Sequence, residues 1–218
     1  MFTDMKGAIF DLDGVIVDTA KYHYLAWKRL ARELGFEFKE LDNERLKGTG
    51  RLKSLDILLE VGNLDFSDDI KLQLADKKNN WYVEYISAID ESELLKGAAE
   101  YLDKLKKSGI KIALGSASKN SLTILNRLKI TDIFDSIVDG NKVSRAKPDP
   151  EVFLVAAREL GLQPKECIVF EDAEAGITAA RAAGMRTVGI GSKDILKEAD
   201  IVVPGLYVFL QPFPQSFA

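Results

Sequence analysis

Residues 8–14 read Ala8-Ile9-Phe10-Asp11-Leu12-Asp13-Gly14. Three apolar residues run into two acids set two positions apart, and then a glycine. A short apolar run closed by turn chemistry predicts a strand buried on both faces. While the chain stays extended, alternate residues point the same way, so Asp11 and Asp13 can face one site. One carboxylate can then attack an electrophile while the other passes a proton, as covalent phosphoryl transfer requires. Taken alone, the tetrad also reads as a surface turn built on Asp-Gly.

Four further apolar runs have the same character: Ile110 to Leu114, Ile168 to Phe170, Thr187 to Ile190 and Ile201 to Val203. Amphipathic stretches alternate with them. Four of these stretches end in glycine followed by an apolar residue: Gly35-Phe36, Gly109-Ile110, Gly161-Leu162 and Gly184-Met185. Such a pair closes a helix, the glycine turning left-handed and the apolar residue packing back on the last turn. Asp149-Pro150 reads as a helix start, with Asp at the cap and Pro at the first helical position. Strands alternating with helices predict an α/β fold with a doubly wound, mostly parallel sheet.

One interval breaks the rhythm. Asp11 and Ile110 are separated by 98 residues, whereas a strand-helix-strand unit needs only about 30. The surplus has helical periodicity, with Leu25, Leu30 and Leu34, then Leu55, Leu58 and Leu59, then Leu72, Leu74, Trp81, Tyr82, Tyr85 and Ile86. The expectation is a helical cap domain at residues 18–92, inserted into a core domain formed by residues 1–17 and 93–218. The tail from Phe209 onward carries no packing signal.

Ligands of open parallel sheets bind outside the carboxyl ends of the strands. Besides Asp11 and Asp13, three polar clusters fall there. Ser116-Ala117-Ser118-Lys119-Asn120 offers hydroxyls and backbone N–H groups to a phosphate. Lys147, between Ala146 and Pro148-Asp149-Pro150, is an ammonium whose direction the prolines fix. Glu171-Asp172 adds two acids, and four acids in one cleft demand a cation. Hard oxygen ligands beside a phosphate point to Mg²⁺. Each cluster also has an ordinary reading, as helix cap, loop lysine or solvated acidic turn. A single site explains all four clusters at one sheet edge, where the ordinary readings require four coincidences.

Composition narrows the partners. With a formal net charge of −4 over 218 residues, the chain has no basic field for nucleic acid. The lone Cys167 cannot form an internal disulfide and fits a reducing compartment. No apolar run approaches the ~20 residues of a membrane helix, and the first residues show no secretory leader pattern. A cytoplasmic monomer acting on small molecules, without nucleic acid or membrane partners, is expected.

Asp11-Leu12-Asp13-Gly14, Ser116, Lys147 and Glu171-Asp172, in that order, resemble the four motifs of the haloacid dehalogenase superfamily, and the insertion resembles its helical-cap branch. The stretches Leu46-Lys47-Gly48-Thr49-Gly50-Arg51 and Lys77 to Tyr82 are similar to those of the sugar-phosphate mutases within that branch. The resemblance implies Asp11 as nucleophile, Asp13 as general acid/base, and Ser116 and Lys147 as holders of the transferring phosphoryl group. It implies Mg²⁺ on Asp11, Glu171, Asp172 and the main-chain carbonyl of Asp13. Sugar phosphate would lie against Thr19, His23 and Trp27; against residues 46–51 and Ser54; and against Lys78 and residues 116–120, including Ala117, Ser118, Lys119 and Asn120.

On residue chemistry alone, Arg51 is either a phosphate fork or an exposed helix-start arginine, and Lys78 reads as a solvated helix face. His23 reads as a packed or hinge residue, with a hydrogen bond to Asp13 open to it. Trp27 reads as packing, and Lys104, Lys106 and Lys107 as a solvated face. The activity implied is interconversion of β-glucose 1-phosphate and glucose 6-phosphate through a glucose 1,6-bisphosphate primer. A phosphatase on the same fold and a non-catalytic sugar-phosphate-binding regulator are the alternatives.

Overall fold

The computed structural model describes residues 5–46 and 49–211. Its centre is the stretch read first. Gly7–Phe10 forms β1, hydrogen-bonded on one side to β2 (Lys111–Gly115) and on the other to β4 (Cys167–Glu171). β3 (Ser136–Val138), β5 (Arg186–Ile190) and β6 (Ile201–Val203) complete a six-stranded sheet in the order β3-β2-β1-β4-β5-β6, with every pairing parallel. Phe10 registers with Leu114 and Phe170, so Asp11, Gly115 and Glu171 leave the sheet side by side. Strand order reverses at β1, which opens a crevice at that edge.

Alternation along the strands builds two cores. Ala8, Phe10, Leu114 and Phe170 face α5 (Ala98–Lys107) and α6 (Ser121–Arg127), while Ile9, Ala113 and Val169 face α7 (Glu151–Leu160) and α8 (Glu174–Ala182). Phe10 and Phe170 stack at 4.5 Å and are fully buried, each burial stabilising by about 1.5–3 kcal/mol. A 3₁₀ turn at Leu206–Leu210 brings Phe209 onto Tyr101 at 5.0 Å. That much of the tail is packed.

Between β1 and α5 lie α1 (Ala20–Glu33), α2 (Glu40–Glu44), α3 (Arg51–Val61) and α4 (Asp68–Ile86). α1 packs on α4, and Leu30, Leu55, Leu58, Tyr82 and Ile86 are fully buried. Leu25 and Leu72, which share the helical pattern, point to solvent. The two chain segments entering and leaving this helical group pair with each other. Val17 bridges Leu94, and Leu95 N–H donates to the Ile16 carbonyl at 2.9 Å. Glu93 accepts from Tyr22 at 2.8 Å and pairs with Lys21 at 2.5 Å, clamping the first turn of α1.

Each glycine-ended helix closes as read. At Gly161, φ is +69° and Leu162 N–H reaches back to the Ala157 carbonyl at 3.0 Å; Gly35, Gly109 and Gly184 repeat the pattern. The same closure occurs without glycine at Lys129 and Asn63, with φ of +56° and +50°. α7 starts one residue later than Asp149-Pro150 suggests, and the Asp149 carboxylate still accepts from Glu151 N–H at 3.0 Å. Lys104 and Lys106 are not merely solvated, because their ammoniums cap the carbonyls of Phe209 and Asp132.

Candidate active site

Asp11 and Glu171 come from the ends of neighbouring strands, and Lys147 lies between them. Its Nζ donates to Asp11 Oδ1 at 2.5 Å and to Glu171 Oε1 at 3.3 Å, with the lysine side chain 2% exposed. Burial by itself would lower the ammonium pKa. The Asp11 and Glu171 carboxylates more than offset that and hold it above the ordinary lysine value, so Lys147 is a fixed cation.

Two glycines permit this crowding. Gly14 has φ of +76°, and a Cβ there would fall 2.0 Å from Asp172 Oδ2. Gly176, in the first turn of α8, leaves room for the Glu171 carboxylate. The carboxylates of Asp11, Glu171 and Asp172 offer oxygens all within 4.8 Å of one another. Among the described residues Glu171 Oε2 is buried with no hydrogen-bond partner, and burial followed by the Asp11 charge raises the Glu171 pKa well above the usual carboxylate range. Three hard oxygen donors, one of them orphaned in the protein alone, fit a divalent cation such as Mg²⁺.

Asp13 stands apart from that trio. Its Oδ1 is shielded and has no hydrogen-bond partner among the described residues. Burial, then the Asp11 and Asp172 charges, push its pKa well up, the direction that favours the protonated form a general acid needs. Ser116 is 2% exposed and its hydroxyl accepts from Ser118 N–H at 3.1 Å; Ser118 Oγ in turn accepts from Asn120 N–H at 3.2 Å. The hydroxyls thus order the loop that joins β2 to α6.

These residues form one wall of a cavity of about 360 Å³. The helical insert supplies the facing wall: His23, Trp27, Leu46, Thr49, Gly50, Arg51, Ser54 and Lys78 all line it. Lys78 is only 3% exposed and is no solvated face. Its Nζ lies 2.7 Å from His23 Nδ1, 4.4 Å from the Trp27 ring centre and 4.9 Å from that of Tyr82. Burial and the Arg51 charge push its pKa down to about 7, with Asp13 opposing. Burial, Lys78 and Arg51 also hold His23 well below its usual value, so the ring is neutral. The hydrogen bond of His23 thus goes to Lys78. The His23 ring stacks on Tyr82 at 3.8 Å.

Not every expected residue reaches the cavity. Thr19 is fully buried behind it, 3.5 Å from the Tyr82 hydroxyl, and Ala20 takes the place on the wall. Lys47 and Gly48 lie outside the described residues. Residues the sequence reading passed over also line the cavity, notably Asn43, Asn79 and the loop Val143–Ala146. The loop runs up to Lys147 and could have been suspected from that. Asn43 and Asn79 carry no motif.

A parallel sheet with acids and a buried lysine at its carboxyl edge, roofed by inserted helices, is the architecture of a capped α/β phosphoryl-transfer enzyme. Residues 8–190 match the haloacid dehalogenase-like hydrolase family, and the chain belongs to that family. It is similar to the β-phosphoglucomutase of Bacillus subtilis, at 45% identity over 91% of this chain and 89% of that one. It is also similar to the phosphorylated carbohydrates phosphatase of Thermotoga maritima, at 33% identity over 84% of each. Among solved structures, the β-phosphoglucomutase of Clostridium difficile superposes with a TM-score of 0.89, at 46% identity over 93% of this chain and 92% of that one.

Proposed function

We propose that this chain interconverts β-glucose 1-phosphate and glucose 6-phosphate, with β-glucose 1,6-bisphosphate as primer and intermediate. The observation that carries the reading is the two-ended cavity. Asp11, Asp13 and Lys147 stand on one wall, and the basic residues Arg51 and Lys78 face them from the other. Such a space suits a sugar with a phosphate at each end. The likeness to two β-phosphoglucomutases near 45% identity supports it.

In this reading Asp11 takes a phosphoryl group from the bisphosphate, forming an aspartyl phosphate and breaking the sugar's O–P bond. Asp13 gives its proton to the departing sugar oxygen. In the reverse sense, the Asp13 carboxylate accepts the proton of the attacking hydroxyl as the phosphoryl group returns. The sugar reorients between the two transfers. Lys147 balances charge on Asp11 throughout, and the Ser116 hydroxyl lies on the phosphoryl side. Mg²⁺, held by Asp11, Glu171, Asp172 and the Asp13 carbonyl, supplies further charge neutralisation when bound. The helical wall excludes water, which would hydrolyse the aspartyl phosphate.

Incubation of the protein with β-glucose 1-phosphate, Mg²⁺ and bisphosphate primer tests the proposal. Glucose 6-phosphate should form in large excess over inorganic phosphate, and Asp11→Asn should form neither isomer nor phosphoenzyme. Release of phosphate alone would establish the second reading, a sugar-phosphate phosphatase, which the likeness to the Thermotoga enzyme favours.

A further inference from the structure

Asn79 lies half-buried on α4, on the cavity wall. Its carboxamide oxygen accepts two hydrogen bonds, from Arg51 Nη2 at 2.8 Å and from Asn120 Nδ2 at 3.1 Å. The donors belong to opposite walls. Arg51 opens α3 in the helical insert, and Asn120 immediately precedes α6 beside the sheet edge. Asp76, one turn earlier on α4, holds the other terminal nitrogen of Arg51 at 3.2 Å. Both donors require the oxygen of Asn79, which settles the orientation of the amide.

The residue type matters. A carboxylate at position 79 would also hold the guanidinium, but it would neutralise the charge that a phosphate needs. Asp76 already pairs with one terminal nitrogen of the fork, and a neutral acceptor at 79 holds the other without adding a second carboxylate, so charge remains for a phosphate. We propose that Asn79 is a positioning residue, a clasp that joins Arg51 of the helical wall to Asn120 of the sheet wall. Together the two donors then present one grip to the sugar phosphate's non-transferring phosphate group. The inference rests on the sugar-bisphosphate reading above. It adds that the grip is assembled only when the two walls meet.

Two variants test it. Asn79→Leu removes the acceptor at similar volume, and Asn79→Asp keeps the geometry while adding charge. Both should raise the KM for glucose 1,6-bisphosphate about tenfold more than the KM for acetyl phosphate, which has no second phosphate. Both should also lower the ratio of isomer to released phosphate. Because Asn79 acts through its two donors, Asn79→Leu placed on an Arg51→Ala, Asn120→Ala background should change the bisphosphate KM by less than about threefold. Equal KM changes for the two donors would overturn the proposal, and so would an undiminished effect on the double background. If wild type forms no isomer, the mutase reading fails separately; the comparison of the two phosphoryl donors still decides the role of Asn79.

Discussion

A Cβ placed on Gly176 would fall 1.6 Å from Glu171 Oε1. Only glycine at that position lets α8 run directly past a carboxylate held beside Lys147. On backbone grounds alone Gly176→Ala should gain about 0.5–1 kcal/mol, because alanine is the better helix former. The steric conflict outweighs that gain. Glu171 is 1% exposed and cannot swing out without leaving Lys147. The variant should keep its helix content by circular dichroism. Its Mg²⁺ requirement for half-maximal activity should rise by about 10–100-fold, as when the support of a metal ligand is lost. An unchanged Mg²⁺ requirement would remove Glu171 from the metal site.

Lys147 offers a second test. Lys147→Ala leaves the Asp11 and Glu171 carboxylates together without their cation. Removing one partner from a buried ionic cluster costs about 3–5 kcal/mol. Denaturant unfolding at neutral pH should show that loss, and Mg²⁺ should recover part of it, so the variant's stability should depend on Mg²⁺ more steeply than wild type's. Turnover should fall by about 10²–10³ or more, as for other lost charge stabilisers. Lys147→Arg should not rescue it. The ammonium sits 4.8 Å from the Phe153 ring in a closed space, and a planar fork does not fit a point-charge site.

Much of this site was legible because its chemistry is local. The strand before Asp11, the glycine-closed helices and the acids at strand ends are short-range signals, and each predicted strand lies in the sheet. β3 was not read, because Ile137 and Val138 are only two apolar residues between Asp135-Ser136 and Asp139, which reads as a loop. The closures at Lys129 and Asn63 were missed because neither residue announces a left-handed turn as glycine does. The cavity wall was harder for a different reason. Lys78 looks like any helix-surface lysine until α1 brings His23, Trp27 and Tyr82 around it. Asn79 gains meaning only from Arg51, 28 positions away, and Asn120, 41 positions away. Such tertiary partners have no spacing to read.

An Arg51 variant tests mutase against phosphatase chemistry. A mutase must hold the phosphate that is not in transfer, and binding energy there is spent on orientation. Arg51→Ala removes a charge-assisted contact of about 1.5–3 kcal/mol. Isomerisation should therefore fall by roughly one to two decades. Phosphate release from the phosphoenzyme should fall less, or rise, as water is excluded less well. The measurement is the ratio of glucose 6-phosphate to inorganic phosphate in a primed assay. Parallel loss of both products would deny Arg51 a role in gripping a second phosphate.

Lys78 should leave a mark on the pH dependence of stability. In the folded protein burial and the Arg51 charge bring its pKa down to about 7, against an ordinary 10.5. Below pH 7 the lysine is protonated in both the folded and the unfolded chain, and the fold bears the full cost of a buried cation. Between about 7 and 10.5 the unfolded chain binds one proton more than the folded one, so this group makes stability rise with pH. The cost at low pH is on the order of a few kcal/mol. Lys78→Met keeps the length and the contact with Trp27 and Tyr82 while removing the charge. Without ligand, the variant should be more stable than wild type at pH 6, and the difference should shrink steadily towards pH 9. Chemical denaturation at the two pH values measures it. Burial, the largest cause, still holds His23 below its usual value in the variant, while loss of the Lys78 charge relaxes part of that shift. The same variant should bind glucose 1,6-bisphosphate more weakly at pH 6, because a phosphate is the natural partner of the cation that was removed. A stability gain equal at both pH values would mean that Lys78 titrates as an ordinary surface lysine and that the helical wall does not hold it buried.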